Sequence, residues 1–231
     1  MNGENVSLYN LLVQFFSEKD SFQKVKAGTV LFQEKDTVHN IYILRRGSLS
    51  VGCVHPKGKE FILKILDGRE LILEYQPFTQ NPNYHFSAKT ITDCEMLLIK
   101  REQFEKFILN DTNSMKALIS WISTRYIKAQ MKCQDLIMNG KKGGLYSILI
   151  RLCQSYGIET ENGILINLPL THQDIANLTF GTREVVQRTL KELREKNIIS
   201  YDLQKITVKD LNYLKQAIDC QNCPYEICGI N

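Results

Sequence analysis

The sequence lacks the signals of export and of membrane insertion. No stretch approaches the roughly 18 uncharged apolar residues that a membrane span requires, and residues 1–6 carry no basic region leading into an apolar one. The chain also has little net charge, because 29 basic residues face 25 acidic ones and leave only +4. We therefore expect a globular cytoplasmic protein without a membrane partner, and a nucleic-acid partner has to be argued from local pattern.

A closed set of disulfides is also excluded, because the chain has 7 cysteines and thiols stay reduced in the cytosol. Cys220, Cys223 and Cys228 form a C-x2-C-x4-C array near the end of the chain. Closely spaced thiolates bind soft metals, and this spacing fits an iron–sulfur cluster or zinc, both of which normally take four ligands. The tail has no histidine, and only Glu226 could add a ligand within it, so the fourth ligand is expected elsewhere.

The remaining cysteines lie in strand-like or helical apolar runs, and we interpret them as small buried side chains. They are Cys53, Cys94, Cys133 and Cys153.

Short apolar runs separated by glycine and polar turns fill residues 21–100. Each run has the length and composition of a strand, and glycines between them suit turns that need a positive φ. The runs are 29–32, 40–44, 48–51, 61–66 and 94–99, and the glycines are Gly28, Gly47, Gly58 and Gly68. Many short strands at this spacing indicate a jelly roll or barrel, and the helical spacing of residues 6–17 predicts a helix on its outside.

The apolar period changes after Arg101. A narrow seam then steps alternately by four and three residues, which is typical of a helix paired lengthwise with another helix. Its members are Met115, Ile119, Ile122, Tyr126, Ala129, Cys133 and Leu136. We expect a symmetric homodimer through this seam, and the alternative is a helix lying on its own β domain. Residues 139–144 are rich in glycine and predict a hinge to a second domain.

A helix-turn-helix is predicted between residues 171 and 193. Thr171 is followed three positions later by Asp174, a variant of the capping box, and Thr182 can cap a second helix over 183–193. Gly181 lies in the turn, where it is available for a left-handed conformation. Short strand-like runs at 198–199 and 205–208, around Tyr201 and Asp202, suggest a winged form of the motif.

The second helix of this motif has two chemically different faces. Val186, Leu190 and Leu193 share a face that would pack inward. The outward face carries Arg183, Glu184, Gln187 and Arg188. Arginine can bond guanine through two hydrogen bonds and glutamate can accept from the cytosine amino group, although pattern alone also allows a merely solvated helix face.

The segment from Leu170 to Arg188 resembles the helix-turn-helix of the CRP/Fnr family of bacterial transcription regulators, whose reading helix has an Arg-Glu-x-x-x-Arg pattern. Residues 43–48 and 58–63 resemble the family's β-roll, the 115–136 seam its dimer helix and residues 206–208 its wing. The resemblance implies an α+β fold in four segments. These are a jelly-roll-like β-roll of the cyclic-nucleotide-binding type at 1–112, a dimerisation helix at 113–139, a winged helix-turn-helix at 140–212 and a cysteine tail at 213–231.

By the same resemblance the chain is a transcription regulator and not an enzyme. It would bind double-stranded DNA as a homodimer, at a palindrome whose half-sites resemble TGTGA, with RNA polymerase as a further partner. Arg183 and Arg188 would contact guanines and Glu184 a cytosine. The other residues expected at the DNA are Gln187, Thr171 and Thr182.

The resemblance does not extend to the cAMP site. Family members that bind cAMP place a glutamate after a glycine for the ribose, and Arg-Ser-Ala for the phosphate. Here Glu74 follows Leu73, and Phe86 stands in the arginine's place before Ser87. A cyclic phosphate would lack its charge-assisted partner, so we expect no cAMP site, while another small effector in the β-roll stays open.

The tail is similar to that of the oxygen-sensing Bacillus-type branch, which holds a [4Fe–4S] cluster on C-terminal cysteines and an aspartate near the end of the dimer helix. This implies a [4Fe–4S] cofactor on Cys220, Cys223 and Cys228, with Asp135 the best match for the aspartate and Cys133 a rival. The N-terminal cluster of the enterobacterial type is excluded because no cysteine precedes Cys53.

Two alternatives remain at the level of the sequence. The first is a regulator of the same type that responds to another effector or to thiol oxidation, with the tail a zinc clamp or without metal. The second is an iron–sulfur electron carrier, in which the face of Arg183, Glu184 and Arg188 would have no role.

Overall fold

The computed structural model describes residues 7–17, 22–54, 60–179, 181–202, 204–224 and 227–230. It divides into two compact units, Met1–Ser123 and Thr124–Asn231. Gly58 and Glu226, which carried sequence predictions, lie outside the described residues. Within the described residues, no helix has the length and apolar character needed to cross a membrane.

The first unit contains two antiparallel four-stranded sheets and the helices around them. Its elements are α1 (Leu8–Phe16), β1 (Gln23–Val25), β2 (Val30–Phe32), β3 (Asn40–Arg46), β4 (Ser48–Val54), β5 (Glu60–Asp67), β6 (Glu70–Ile72), β7 (Ser87–Thr90), β8 (Cys94–Lys100), α2 (Arg101–Asn110) and the start of α3 (Thr112–Tyr156). The sheet orders are β1-β8-β3-β6 and β2-β7-β4-β5. The five predicted strands are confirmed, whereas the short strands β1, β6 and β7 were missed.

Consecutive buried residues in the central strand β3 contribute to the core of the first unit. Along β3, Ile41, Ile43 and Leu44 are fully buried, and α1 adds Leu12 and Phe16 from one of its faces. Burying a large aliphatic or aromatic side chain contributes about 1.5–3 kcal/mol, so this cluster accounts for the stability of the roll. The prediction of a helix packed on the roll is confirmed.

The turn between β3 and β4 requires a glycine. Gly47 has φ 89°, and a Cβ added there would lie 2.4 Å from the carbonyl oxygen of Asp93. Any other residue would meet both a backbone clash and an unfavourable conformation. Gly28 and Gly68 also have positive φ, which confirms these predicted turns.

Helix α3 is interrupted at Gly140, whose φ of 61° and ψ of −168° are not helical. We call residues 124–139 the first limb and residues 141–156 the second limb of the second unit. A Cβ on Gly143 would lie 2.4 Å from Cβ of Asn139, and one on Gly144 would lie 2.7 Å from Cδ2 of Leu136. The second limb therefore returns close to the end of the first. The helix does break within the predicted segment 139–144, but only at Gly140, and the break lies inside the second unit and does not separate the two units.

Substituting Gly140 tests the importance of this break. Its conformation is available essentially only to glycine, so Gly140→Ala is expected to lower the free energy of unfolding by about 1–3 kcal/mol. Urea unfolding followed by circular dichroism measures the change. Lys141→Ala is the matched control, because Lys141 is exposed and helical and its loss should cost less than about 0.5 kcal/mol. Equal stability of the two variants would contradict the need for the break.

The second unit combines the two limbs of α3 with three further helices and a small sheet. After the second limb come β9 (Gly157–Thr160), β10 (Gly163–Ile166), α4 (His172–Leu178), α5 (Arg183–Glu195), β11 (Ile199–Asp202), β12 (Lys205–Val208) and α6 (Leu211–Gln216). The sheet order is β11-β12-β10-β9 with antiparallel neighbours. Two strands do follow α5, as predicted, but Tyr201 and Asp202 belong to the strand β11 and not to the turn.

Candidate DNA-reading face and cysteine site

Helix α4 begins with the predicted capping box. The Thr171 hydroxyl oxygen accepts from the backbone N–H of Asp174 at 3.1 Å, and Oδ2 of Asp174 accepts from the backbone N–H of Thr171 at 2.9 Å. Each side chain thus satisfies a backbone donor that the helix cannot satisfy by itself. Thr171 is exposed, so its position is compatible with a contact to DNA.

The turn between α4 and α5 is closed differently from the sequence expectation. The prediction of a left-handed Gly181 is wrong, since Gly181 is not among the residues with positive φ. Its N–H instead donates to the carbonyl of Ala176 at 2.9 Å, and a Cβ on it would lie 3.1 Å from Oγ1 of Thr179. Glycine fits this turn because of the close approach. Thr182 is the N-cap of α5, as predicted, and accepts from the N–H of Val185 at 3.5 Å.

Helix α5 separates a packed face from an exposed one. Val186, Thr189, Leu190 and Leu193 are buried. The predicted reading residues Arg183, Glu184, Gln187 and Arg188 are all exposed. The motif therefore presents these four side chains together on one surface.

The charge state of Glu184 suits recognition of a cytosine. Hydrogen bonds from its own backbone N–H and from the Thr182 hydroxyl lower the pKa of its carboxyl group, and the nearby Arg183 acts in the same direction. The group is therefore ionised near neutral pH and can accept a hydrogen bond from an amino group. Arg183 and Arg188 supply the donors beside it.

One contact that the sequence did not predict joins the break in α3 to the reading helix. Nζ of Lys142, at the start of the second limb, lies 2.5 Å from Oε2 of Glu192 on α5. The pair is partly exposed, so it contributes little stability, but it connects the two elements directly. Like the Gly140 break, this contact depends on how the second limb packs.

The cysteine tail is folded onto both limbs. The N–H of Cys220 donates to the carbonyl of Lys215 at 2.9 Å, and the N–H of Cys228 to the carbonyl of Pro224 at 2.9 Å. The buried Ile230 donates its N–H to Oγ of Ser155 at 3.0 Å, and its carbonyl accepts from Nζ of Lys132. The end of the chain therefore connects the second limb to the first.

A cavity of about 320 Å³ lies between the tail and the limbs. Cys220, Cys223 and Cys228 all line it, and so does Asp135 from the first limb. Burial raises the pKa of the Cys228 thiol and the Arg151 guanidinium opposes this, while Cys223 and Cys220 raise it further. The Cys228 thiol is thus near enough to the other two to be affected by their charge.

The rival fourth ligand, Cys133, faces elsewhere. It is exposed and lines a separate apolar groove with Tyr126, Ala129 and Ile137 on the first limb. Its interpretation as a buried side chain is wrong for the single chain, because the groove is open. Cys94 and Cys153 are buried as predicted, and Cys53 is half-buried.

The donor types around the cavity fit a thiolate-rich metal site. Three thiols and one carboxylate are groups that bind iron–sulfur clusters or zinc. In the described part of the chain, however, no three cysteine, histidine, aspartate or glutamate side chains are gathered closely enough to hold a metal ion. The four residues share a cavity without forming a closed ligand set.

In the β-roll, the Glu74 carboxylate is paired with a lysine. Glu74 is 6% exposed, and its Oε1 lies 2.6 Å from Nζ of Lys64. This is an ion pair without hydrogen-bond geometry, because Oε1 has no hydrogen-bond partner among the described residues. Phe86 packs against the core.

A separate groove of about 390 Å³ in the β-roll is lined by Ser50, Ser87 and Lys89, among others. The absence of a cAMP site stays a prediction, to which the Lys64–Glu74 pair adds a physical reason.

Exposed apolar side chains follow the predicted seam of α3. Ile119, Ile122 and Tyr126 are 57%, 44% and 63% exposed. In the second unit, Leu136 turns inward toward Gly144, whereas Ile137 is 80% exposed. An apolar surface of this kind is typical of an interface.

Comparison with known proteins agrees with this description. Residues 22–111 match the cyclic nucleotide-binding domain, and residues 145–217 match the Crp-like helix-turn-helix domain. An anaerobic regulatory protein of Bacillus subtilis is 39% identical over 225 residues, covering 97% of this chain and 93% of that relative. A global nitrogen regulator of Nostoc is 29% identical over 190 residues, covering 82% of this chain and 84% of that protein.

Solved structures show the same fold at lower identity. The c-di-GMP-responsive global regulator CLP of Xanthomonas campestris has a TM-score of 0.75 and 18% identity, covering 87% of this chain and 99% of its own. The observed elements and these matches confirm the predicted α+β fold, with its N-terminal β-roll, long central helix and C-terminal helix-turn-helix.

Proposed function

The chain belongs to the CRP/Fnr family of DNA-binding transcription regulators, and on that premise we propose that it responds to oxygen through a [4Fe–4S] cluster held by Cys220, Cys223, Cys228 and Asp135. The family consists of transcription regulators and not of enzymes, in agreement with the sequence prediction. The similarity to an anaerobic regulatory protein supports a signal linked to oxygen.

One observation carries the proposal. The three tail cysteines and Asp135 line the same cavity, although Asp135 precedes Cys220 by most of the second unit in sequence. Cys133 lies outside that cavity, which favours the carboxylate as the fourth ligand. When bound, an iron–sulfur cluster would supply a group that reacts with oxygen. While all four ligands are bound to the cluster, they would hold the tail against the first limb.

The surroundings of the cavity offer a route from the tail to the DNA-reading face. Lys132 and Ser155 hold the end of the tail on the two limbs, and Lys142 links the second limb to Glu192 on α5. A change in how the tail grips the limbs would bias the orientation of α5. Regulation then requires two states of this unit with different affinities for DNA.

We propose that Arg183, Glu184 and Arg188 read the bases of a TGTGA-like half-site, with Gln187 beside them. Thr171 and Thr182, at the starts of α4 and α5, would contact the backbone phosphates. Helix N-termini favour such contacts, because their unpaired N–H groups point toward the anion. RNA polymerase is the expected protein partner, and the four segments predicted from the sequence remain the proposed division into domains.

Binding to a palindrome requires two copies of the reading helix, and we propose that α3 supplies the homodimer interface. Its exposed apolar stripe supports this, since Ile122, Tyr126 and Ile137 would become buried between two helices. Cys133 would lie within the same interface. The dimer would also bury the apolar groove on the first limb.

A charge inside this interface tests the dimer. Ile122→Glu would place two like charges near the two-fold axis, which costs several kcal/mol, so we expect dimerisation to weaken by about 100-fold or more. Sedimentation equilibrium measures the constant. Ser120→Glu is the control, because Ser120 is exposed and lies farther round the helix from the stripe, and it should leave the dimer intact. A dimer that tolerates Ile122→Glu as well as it tolerates Ser120→Glu would exclude this interface.

The metal and sulfide content of the purified protein tests the identity of the metal. Protein purified without air should contain iron and acid-labile sulfide with a brown colour, and lose both on exposure to air. Zinc in place of iron would support the clamp, with another signal acting through the β-roll groove or through thiol oxidation. An iron–sulfur protein without specific DNA binding would support the electron carrier.

A further inference from the structure

The Asp135 carboxylate is held by only one of its two oxygens. Oδ2 accepts from the Ser147 hydroxyl at 2.6 Å and from Nη2 and Nε of Arg151 at 2.7 and 3.2 Å. No donor in the described parts of the chain hydrogen-bonds to Oδ1. The carboxylate is therefore fixed in orientation while one oxygen stays available on the side chain that lines the cavity.

Arg151 connects this carboxylate to the cysteine loop. Its Nη1 donates to the carbonyl oxygens of Ile227 and Gly229 at 3.3 and 3.4 Å, the residues on either side of Cys228. The side chain is 4% exposed, whereas that of Asp135 is 25% exposed. A buried guanidinium is costly unless it is paired and hydrogen-bonded, so these contacts fix its position. One side chain thus spans two of the ligands that we assign to the metal site.

We propose that Ser147 and Arg151 are the positioning residues of the metal site. They hold Oδ2 of Asp135 and the backbone around Cys228, so that Oδ1 and the Cys228 thiol are presented to one cavity. This inference rests on the proposed function, since it assumes that Asp135 and the tail cysteines bind the metal. Groups that orient metal ligands through hydrogen bonds typically contribute about 10- to 100-fold in metal affinity.

Charge gives Arg151 a second role in the same site. Three thiolates and a carboxylate bring together four negative charges, which repel one another in a partly buried place. The guanidinium offsets part of this repulsion from a position beside Asp135 and the two carbonyl groups that flank Cys228. Arg151→Lys keeps the charge but lacks the fork that binds Oδ2 and the two carbonyls at once. It should therefore restore affinity only in part.

The test is a titration of the metal-free, reduced full-length protein with Co²⁺ alone, without air. The readout is the sulfur-to-cobalt charge-transfer absorption, which reports thiolate ligation directly. We expect Arg151→Met to weaken cobalt binding by about 10- to 100-fold and Ser147→Ala by less, with partial rescue in Arg151→Lys. Ser147→Ala removes one hydroxyl and is the variant least able to disturb folding. Thermal unfolding of every apo variant verifies that it is folded.

A double-mutant cycle separates positioning from a general structural role. In the Asp135→Ala background the additional Arg151→Met change should cost less than it does alone, because the contacts of Arg151 to Oδ2 are gone while those to the carbonyls of Ile227 and Gly229 remain. A full and additive penalty in that background would overturn the proposal.

Two further outcomes are distinguishable. In the first outcome, the wild type shows the cobalt band, and Ser147→Ala and Arg151→Met bind cobalt with the same affinity as the wild type. This result would refute the positioning role but not the metal site. A wild type that shows no sulfur-to-cobalt absorption and also binds no iron or sulfide on anaerobic reconstitution would refute the metal site itself, and this inference with it.

Discussion

Arg188→Ala is expected to weaken binding of the dimer to a TGTGA-like palindrome by about 2–6 kcal/mol, because each bidentate arginine–guanine pair is worth about 1–3 kcal/mol and the palindrome contains two. Arg188 is exposed on α5 one turn after Glu184, while the opposite face of the helix is buried. The substitution therefore removes a recognition group without disturbing the packing of the motif. Fluorescence anisotropy at one fixed salt concentration measures the affinity.

The decisive comparison is between the palindrome and a scrambled duplex of the same composition. Arg188→Ala should lose most of its affinity for the palindrome and little for the scrambled DNA, since base contacts specify and phosphate contacts do not. Lys191→Ala removes the same charge from an exposed position later on α5 and should affect both duplexes alike. Equal losses on both duplexes for Arg188→Ala would mean that Arg188 contacts only the backbone.

Replacing a tail cysteine should have the second large effect. Cys228→Ser is expected to abolish assembly of the cluster and, with it, any difference in DNA affinity between anaerobic and air-exposed protein. A neutral hydroxyl does not replace a thiolate as an iron ligand, and among the described residues three cysteines line the cavity. Iron and sulfide content after anaerobic reconstitution measures assembly.

Cys133→Ser is the matched control for this experiment. Cys133 is the cysteine nearest to Asp135 in sequence, but it lies in the separate groove on the first limb. The variant should therefore load iron like the wild type. Loss of loading in Cys133→Ser, with normal loading in Asp135→Ala, would make Cys133 the fourth ligand and would contradict our assignment.

The helix-turn-helix could be predicted from sequence because its determinants are local. The capping box of Thr171 and Asp174 and the cap of Thr182 depend on residues within one helical turn. The apolar face of α5 follows from the helical period alone. Gly181 was interpreted wrongly because glycine serves either a positive φ or a close approach, and its sequence position does not distinguish the two.

The short strands show the opposite case. β1 has three residues that are mostly exposed, and β7 has the polar sequence Ser-Ala-Lys-Thr. Neither has enough apolar alternation to be recognised, and both form because longer neighbours pair with them.

The candidate site could be predicted only in part. The cysteine array is visible in the sequence, and resemblance pointed to Asp135. The contacts of Ser147 and Arg151 depend on the backbone at Gly140, which brings the second limb back onto the first. One signal was present: Arg151 interrupts an otherwise apolar segment, and a charge on a buried helix face needs a partner.

The most direct test of the oxygen response is the affinity of the reconstituted protein for a TGTGA-like palindrome, measured before and after exposure to air. Coupling between two sites is typically worth about 1–3 kcal/mol, so we predict a change in affinity of roughly 5- to 150-fold that is absent in Cys228→Ser. The same affinity before and after air, with the cluster shown to be lost, would contradict the proposed oxygen response.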